Sequence, residues 1–435
     1  MQLFIGALRD FAIGKLSTHA NKIKRLTVNE DEKEGSPSSF KVWPTNVDRI
    51  LFESVMLSGN PATLRGQYNL TEKSEMPRLI SAYCYFYRQI ENFSSGDSAD
   101  DAATETRIYG LYQALRVGLQ VVVIELENND DPQMIFETLN ARGQPLLPSD
   151  LIRNTIFHQA FGDTEHYEEE NYAESLYNRY WRYFDDDRLK EPIKGDDRYW
   201  YVEERQGRLT RPRIDLFIFH FLVMKTGKLE LSIGHLFQEF RDWRDVSSDS
   251  LESFLADLKR YAFIFRDLVA PSGRDRLARF SRRLRSLDTS TVYPFLMYID
   301  GLPTETLSKS DRDWILEDIE SWLIRRLVCQ LTNKNYNNFF VGLLNKVRRT
   351  VEGVPGENMT LTPSAQQRPL SAEIKAAVRS ELTRSKEDTL IWPTDPDFES
   401  GWLRAAVYVK SRPDRAVMLL RAIDLEHFPA LMNRL

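Results

Sequence analysis

A chain of 435 residues is long enough for two or three domains with ample buried core. Hydrophobic residues make up 42% and charged residues 28%, an ordinary globular balance, and a formal net charge of −6 excludes a uniformly basic nucleic-acid binder, so any DNA contact must use a local patch. Cys84 and Cys329 lie far apart with no CxxC and no His at ligand spacing, which argues against a zinc centre or disulfide framework and for a reducing cytoplasm, and no apolar run reaches bilayer length.

The opening stretch, MQLFIGALRDFAIGK, meets Arg9 and Asp10 too early for a signal peptide. Its spacing predicts an amphipathic helix with Leu3, Phe4, Leu8 and Phe11 on one face. A chain that opens in mid-helix pattern, with no capping residue before it, is expected to be cut from a longer one. Thr27–Phe40 and Ser94–Thr106 are polar and acidic and are predicted loops, with helices over Asp48–Ser58 and Glu75–Phe93. QVVVIEL, Gln120–Leu126, is the one convincing strand. Asp131-Pro132 then starts a helix that carries Met134, Ile135 and Leu139 inward and ends near Asn140. Gly143 supplies a turn, and Pro148-Ser149-Asp150 starts a second helix with Ser149 as its cap. Further helices are expected over Arg213–Met224, Leu251–Val269 and Trp314–Thr332. Gly353–Ser371, rich in Pro, Gly, Ser and Gln, reads as a linker. The fold class is therefore mainly α, with a small β element near the N-terminal third.

Strand, helix, glycine turn and helix together present polar groups from two helix ends into one space. Asn140 and Arg142 sit at the exit of the first helix; Asp150, Arg153 and Asn154 sit at the start of the second. Backbone N–H groups there can hold a phosphate, with Arg142 or Arg153 adding charge. Asp150 opposes this, because a carboxylate at the same helix end repels an anion unless a divalent cation intervenes. The bland alternative is that Asn140 and Asp150 are capping and turn residues only.

Arg274–Arg285, RDRLARFSRRLR, carries six arginines around a stripe of Leu277, Phe280, Leu284 and Leu287. Arg276, Arg279, Arg282 and Arg283 are thus candidates to neutralise DNA phosphates, against the alternative of a solvated face paired with acidic residues. Tyr177–Phe184 and Tyr199–Tyr201 interleave aromatics with arginine and offer stacking surfaces, yet Tyr177, Trp181 and Phe184 also have the helical spacing of packing residues. The histidines show no triad context, His220 reads as a core residue within FIFHFLV, and no P-loop is present. Neither a catalytic residue nor a metal ligand set is assigned.

The segment Ile135–Asn154, IFETLNARGQPLLPSDLIRN, resembles the hallmark of the N-terminal domain of GmrSD-type restriction endonucleases. The resemblance extends in order through FKVWPTNVDRILFESVM (Phe40–Met56), RPRIDLFIFHFL (Arg211–Leu222), SWLIRRLVCQLTNKNYNNFF (Ser321–Phe340) and IWPTDPDFESGWLRAAVY (Ile391–Tyr408). It implies a nucleotide-dependent enzyme of anti-phage defence acting on modified DNA, with a nucleoside triphosphate and Mg²⁺ as cofactors. The hallmark would contribute Asn140, Arg142, Gly143, Asp150, Arg153 and Asn154 to nucleotide or phosphate binding. Two motifs expected with the family are missing from the sequence. The hydrolysis motif Asp-Gly-Gln-Gln-Arg would fall just before Met1, and Gln366-Gln367-Arg368 lies in the late linker after Ser364-Ala365. The nuclease signature Glu-His-x-x-Pro is approached only by Glu426-His427-Phe428-Pro429, with Pro one place early and six residues following it.

The resulting expectation is a cytoplasmic protein of four parts. These are a truncated GmrSD-like domain over 1–160, a helical middle over 161–352, a linker over 353–371 and the start of a nuclease-like domain over 372–435. DNA is the expected partner, with a partner subunit or homo-oligomer also open, and without NTPase or nuclease activity in the chain as it stands. The rival readings are a complete, non-catalytic DNA- or partner-binding subunit, and an enzyme with a degenerate site on Asn140, Asp150 and Arg153.

Overall fold

The computed structural model describes residues 1–33, 36–44, 48–71, 76–95, 100–120, 147–161, 172–185, 199–353, 369–384, 389–404 and 412–427. The expected strand at Gln120–Leu126, apart from Gln120 itself, and the first helix of the hallmark lie outside these residues. So do Asn140, Arg142, Gly143 and Gln366–Arg368. The described protein is mainly helical, as the sequence predicts, and divides into two compact units. One comprises Met1–Leu139 with Tyr183–Trp200, the other Asn140–Arg182 with Tyr201–Leu435.

In the first unit, α1 (Gln2–Gly14) lies against α5 (Arg78–Ser95), with α2 (Ala20–Lys24) on α1. Helices α3 (Arg49–Leu57), α4 (Pro61–Gln67) and α6 (Asp101–Gln113) also pack on α5. The predicted apolar face of α1 is the observed one: Leu8 and Phe11 are buried and Leu3 and Phe4 half-buried against the same core, with Tyr83 and Ile80 opposite. Helix α6 begins inside a stretch whose composition reads as loop. Asp100 starts it, its carboxylate accepting from the Ala102 N–H at 3.0 Å, and Ile108 and Tyr112 supply the buried contacts.

The polar residues of α1 were placed by the sequence only as too early for a leader, yet two of them are core. Arg9 and Asp10 are both buried. The Arg9 Nε donates to Asp10 Oδ1 at 2.7 Å and its Nη2 to the Met56 carbonyl at 2.6 Å. Tyr83 donates its hydroxyl to Asp10 Oδ2 at 2.6 Å, and the burial and the nearby carboxylate push the phenol well above its usual range. Three helices are thereby tied to one ion pair.

In the second unit, α7 (Pro148–Phe161) packs on α8 (Tyr172–Leu176), α9 (Arg213–Thr226) and α10 (Leu236–Val246). Helix α9 carries ten buried residues, Ile214 to Met224 with Phe219 excepted, and is surrounded by α10, α11 (Leu251–Val269), α13 (Tyr293–Gly301) and α15 (Tyr336–Glu352). Helix α14 (Lys309–Val328) takes α12 (Arg276–Leu287), α16 (Leu370–Arg384) and α17 (Asp395–Arg404) against it, and α18 (Pro413–His427) lies on α12. Local chemistry sets these ends. Ser308 and Asp311 cap α14 reciprocally, the Asp311 N–H donating to Ser308 Oγ at 3.1 Å and the Ser308 hydroxyl to Asp311 Oδ2 at 2.9 Å. Gly227 closes α9 at φ +64°, and a Cβ there would lie 2.0 Å from Asn345 Oδ1.

Among the described residues the β structure is one antiparallel hairpin, β1 (Glu203–Gln206) and β2 (Leu209–Pro212), paired from Glu203 with Pro212 to Gln206 with Leu209. Its two-residue turn puts Gly207 at φ +60°, and the Gly207 N–H donates to Asp288 Oδ1 at 3.2 Å. Strands of four residues carrying EERQ and LTRP have little apolar alternation, so periodicity does not announce them.

Removing one partner of the buried pair in the first unit strands the other. Asp10→Ala should lower stability by about 3 kcal/mol and Tyr83→Phe by about 1 kcal/mol, read from urea denaturation followed by a probe of the first unit.

Candidate functional site

The described half of the hallmark is α7, and its first turn is the place to ask whether an anion can be held. A helix start ordinarily leaves four N–H groups without intrahelical partners. Here Pro148 occupies the first helical position and has none to offer. The N–H groups of Asp150 and Leu151 both donate to the Leu147 carbonyl, at 2.9 and 3.3 Å. That of Ser149 donates to Asp215 Oδ1 at 3.1 Å. Ser149 is therefore not the cap that the sequence predicts, since it lies inside the helix. Its hydroxyl is buried without a hydrogen-bond partner, and the capping oxygen comes from α9, 66 residues away in sequence.

Asp215 is fully buried in the first turn of α9. Burial pushes its carboxyl up to about 6; Ser149 and Arg211 pull the other way and Asp150 adds to the rise. Its second oxygen, Oδ2, has no hydrogen-bond partner. The Ser149 hydroxyl is close enough to favour the ionised carboxyl but makes no hydrogen bond of good geometry. Three further hallmark residues among those described lie on the same helix. Asp150 and Arg153 are half-buried and approach one another at 3.6 Å across one turn, and Asn154 is exposed. The structure thus brings Asp150 and Arg153 together and adds Ser149 and Asp215, which the site reading of the sequence did not name. One signal for Asp215 was present: a lone carboxylate opening the apolar run RPRIDLFIFHFL.

On α12 the arginines divide by face. Phe280, Leu284 and Leu287 are buried and Leu277 half-buried, as the stripe predicts. Arg276 is buried and donates to Glu320 Oε2, and Arg283 donates to Glu320 Oε1 at 2.6 Å. Arg279 and Arg282 are exposed, the latter reaching the Gly273 carbonyl at 2.9 Å. The four candidates are therefore two arginines held inward by one buried glutamate and two open to a ligand.

The aromatic stretches are packed. Tyr177, Trp181, Phe184 and Trp200 are buried, with Phe157 meeting Tyr177 and Trp181 at 5.8 and 6.1 Å. Tyr177–Trp181 forms a π-helical turn. The Arg179 carbonyl in that turn accepts from Lys259 Nζ at 2.6 Å. His220 is buried, with Nε2 2.8 Å from Gln206 Oε1, and burial lowers its pKa to about 3, so it stays neutral. Among the described residues no three side chains of metal-ligating type come together, and no helix is long and apolar enough to cross a membrane.

Residues 2–157 match the family model described as GmrSD restriction endonuclease, N-terminal domain. No curated protein and no solved structure matches the chain. The matched stretch ends within α7, so Asp150, Arg153 and Asn154 fall inside it, while Asp215 and the arginines of α12 fall beyond it.

The raised pKa of Asp215 has a sign. Its carboxyl binds a proton more readily in the folded chain than in the unfolded one, so its contribution to stability is present in acid and is lost as pH rises through about 6. Asp215→Asn removes the ion and keeps an oxygen for the Ser149 N–H. The variant should match the wild type near pH 4 and exceed it near pH 7.5, by on the order of 2 kcal/mol, in paired denaturation curves.

Proposed function

Residues 2–157 are a GmrSD-type restriction endonuclease N-terminal domain, and from that premise we propose that the chain binds DNA and a nucleoside triphosphate in a restriction system directed against phage. The match over residues 2–157 is the observation that carries this reading. In it, the hallmark helix α7 supplies Asp150, Arg153 and Asn154 at the nucleotide, together with Asn140, Arg142 and Gly143 of the preceding segment. Arg279 and Arg282 of α12 supply the DNA contact, because they are the two of the four candidates left exposed. Arg276 and Arg283, held by Glu320, orient the helix and contribute to the electrostatic field.

The chemistry of cleavage falls outside what these residues do. Modified DNA would be recognised here and cut by groups that this sequence does not carry, since neither Asp-Gly-Gln-Gln-Arg nor Glu-His-x-x-Pro occurs in it. Mg²⁺ bound to a triphosphate would arrive with the nucleotide. The role is one of sensing, in the cytoplasm where phage DNA enters.

Two outcomes follow. DNA affinity should fall with salt, and replacing Arg279 and Arg282 together by Ala should lower the slope of log K against log salt by about 2 if each neutralises one phosphate. Fluorescence anisotropy with a duplex oligonucleotide measures this, and an absence of binding at low salt sinks the DNA reading. Purified chain should bind GTP or ATP without turning it over. Phosphate release at a rate abolished by Asp150→Ala would instead make the hallmark helix part of a working hydrolase.

A further inference from the structure

Helix α7 starts with one contested donor. Pro148 has no N–H, and those of Asp150 and Leu151 are both satisfied by the Leu147 carbonyl within the same turn. The Ser149 N–H is the remaining one, and a carboxylate from another helix already occupies it. That carboxylate is fully buried, and it is not fully satisfied: Asp215 Oδ2 and Ser149 Oγ are buried oxygens without hydrogen-bond partners. Buried polar atoms left so are destabilising, by about 1–3 kcal/mol each, and mark a place where another group completes the set. The helix is fourteen residues long, so its N-terminal end carries the full partial positive charge that attracts an anion.

We propose that the Asp215 carboxylate is a built-in competitor for the anion site at the start of α7, and that a phosphate group of a nucleoside triphosphate takes the Ser149 N–H and hydroxyl by displacing it. The proposal rests on the nucleotide-binding reading above and specifies how that binding is regulated. A phosphate carries more charge than a carboxylate and more acceptor oxygens, so it can use both the N–H and the orphaned hydroxyl. Arg153, half-buried one turn along, is the cation placed to meet it. Displacement has a mechanical consequence, because the Ser149–Asp215 bond links α7 to α9, and α9 is the buried helix about which the second unit is packed. Occupation of the nucleotide site would thus remove this polar link between the hallmark helix and that core.

The charges acting on Asp215 set the balance. Asp150, on α7, and burial itself both oppose its ionised form, and Arg211, on β2, favours it. Arg211 is exposed and is the cation to which a displaced carboxylate would turn. An acidic medium weakens the competitor by protonating it, so anion binding should tighten as pH falls through about 6.

The test is binding of a fluorescent, non-hydrolysable GTP analogue to the full chain and to its Asp215→Asn variant. Near pH 7.5 the variant should bind about tenfold more tightly, and near pH 5.5 the two should converge, since comparison at each pH cancels the titration of the nucleotide itself. Equal affinities at both pH values overturn the competition while leaving nucleotide binding in place. No binding by either protein removes the nucleotide reading and this proposal with it. Should the Asn variant fail to fold, sulfate decides the matter in the wild type, because its charge does not change over this range. Sulfate should displace the analogue several-fold more effectively near pH 5.5 than near pH 7.5, and equal displacement overturns the proposal.

Discussion

A charge withdrawn from water must find an opposite charge or a ring of dipoles, and helix α14 withdraws three. Asp318, Glu320 and Arg326 are all buried on it, Arg326 at 0% exposure. Each reaches a different neighbour. Glu320 receives Arg276 and Arg283 from α12, and Asp318 receives Arg379 from α16. Arg326 donates to the carbonyls of Thr332, Thr389 and Ile391 at 2.7–2.8 Å and to the Tyr336 hydroxyl at 3.0 Å, with the Trp322 ring 4.8 Å from its guanidinium. Taking away one member of such a set leaves an ion in a medium that cannot solvate it, at about 3–5 kcal/mol. The positions of α12, α16 and the segment entering α17 are therefore tied to α14 by requirement as well as by apolar contact. The same demand of Glu320 turns Arg276 and Arg283 inward, while Arg279 and Arg282 lie outside.

The same rule operates in the first unit with a smaller cast. Arg9 and Asp10 are neighbours on α1, and their burial is tolerable because Tyr83 and the Met56 carbonyl complete their hydrogen bonds. This arrangement explains why a helix of high apolar content keeps two charged residues in its middle. An amphipathic reading assigns them to solvent, since periodicity records only which positions are apolar. It carries no information on whether a polar position meets water or a partner.

That distinction separates what the sequence made legible from what it did not. Two long helices were legible nearly to the residue, Leu251–Val269 as predicted and Arg213–Met224 extending only to Thr226, while the one expected over Trp314–Thr332 lies over Lys309–Val328. Their apolar spacing is local, and so are the Ser250 and Ser308 caps that start α11 and α14. Helix α6 was hidden because Asp101–Glu105 is polar and its support comes from α5. The hairpin was hidden because its strands are short and its register depends on a glycine turn anchored by Asp288. At the candidate site, the helix expected to start at Pro148-Ser149-Asp150 is found, with Asp150, Arg153 and Asn154 in its first two turns. The sequence named the wrong cap, because a serine beside a helix start is a local signal and Asp215 is not.

That difference changes what the helix start is for. A serine cap would be a closed local arrangement, its hydroxyl spent on the N–H two or three residues on. A carboxylate brought from α9 does the same electrostatic work at the cost of burying a charge, with burial pushing the Asp215 carboxyl up to about 6 and its Oδ2 left without a partner. Stability alone would favour the serine. A buried carboxylate there makes the junction between α7 and α9 dependent on protons and, in the proposed competition, on anions, and a serine cap is sensitive to neither. Under the nucleotide-binding proposal such a junction has a use, because the charge of a phosphate is the property that would distinguish an occupied site from an empty one. In the proposed competition, the tie between Ser149 and Asp215 would convert that charge into a choice between two partners for one N–H, at a bond that joins α7 to α9.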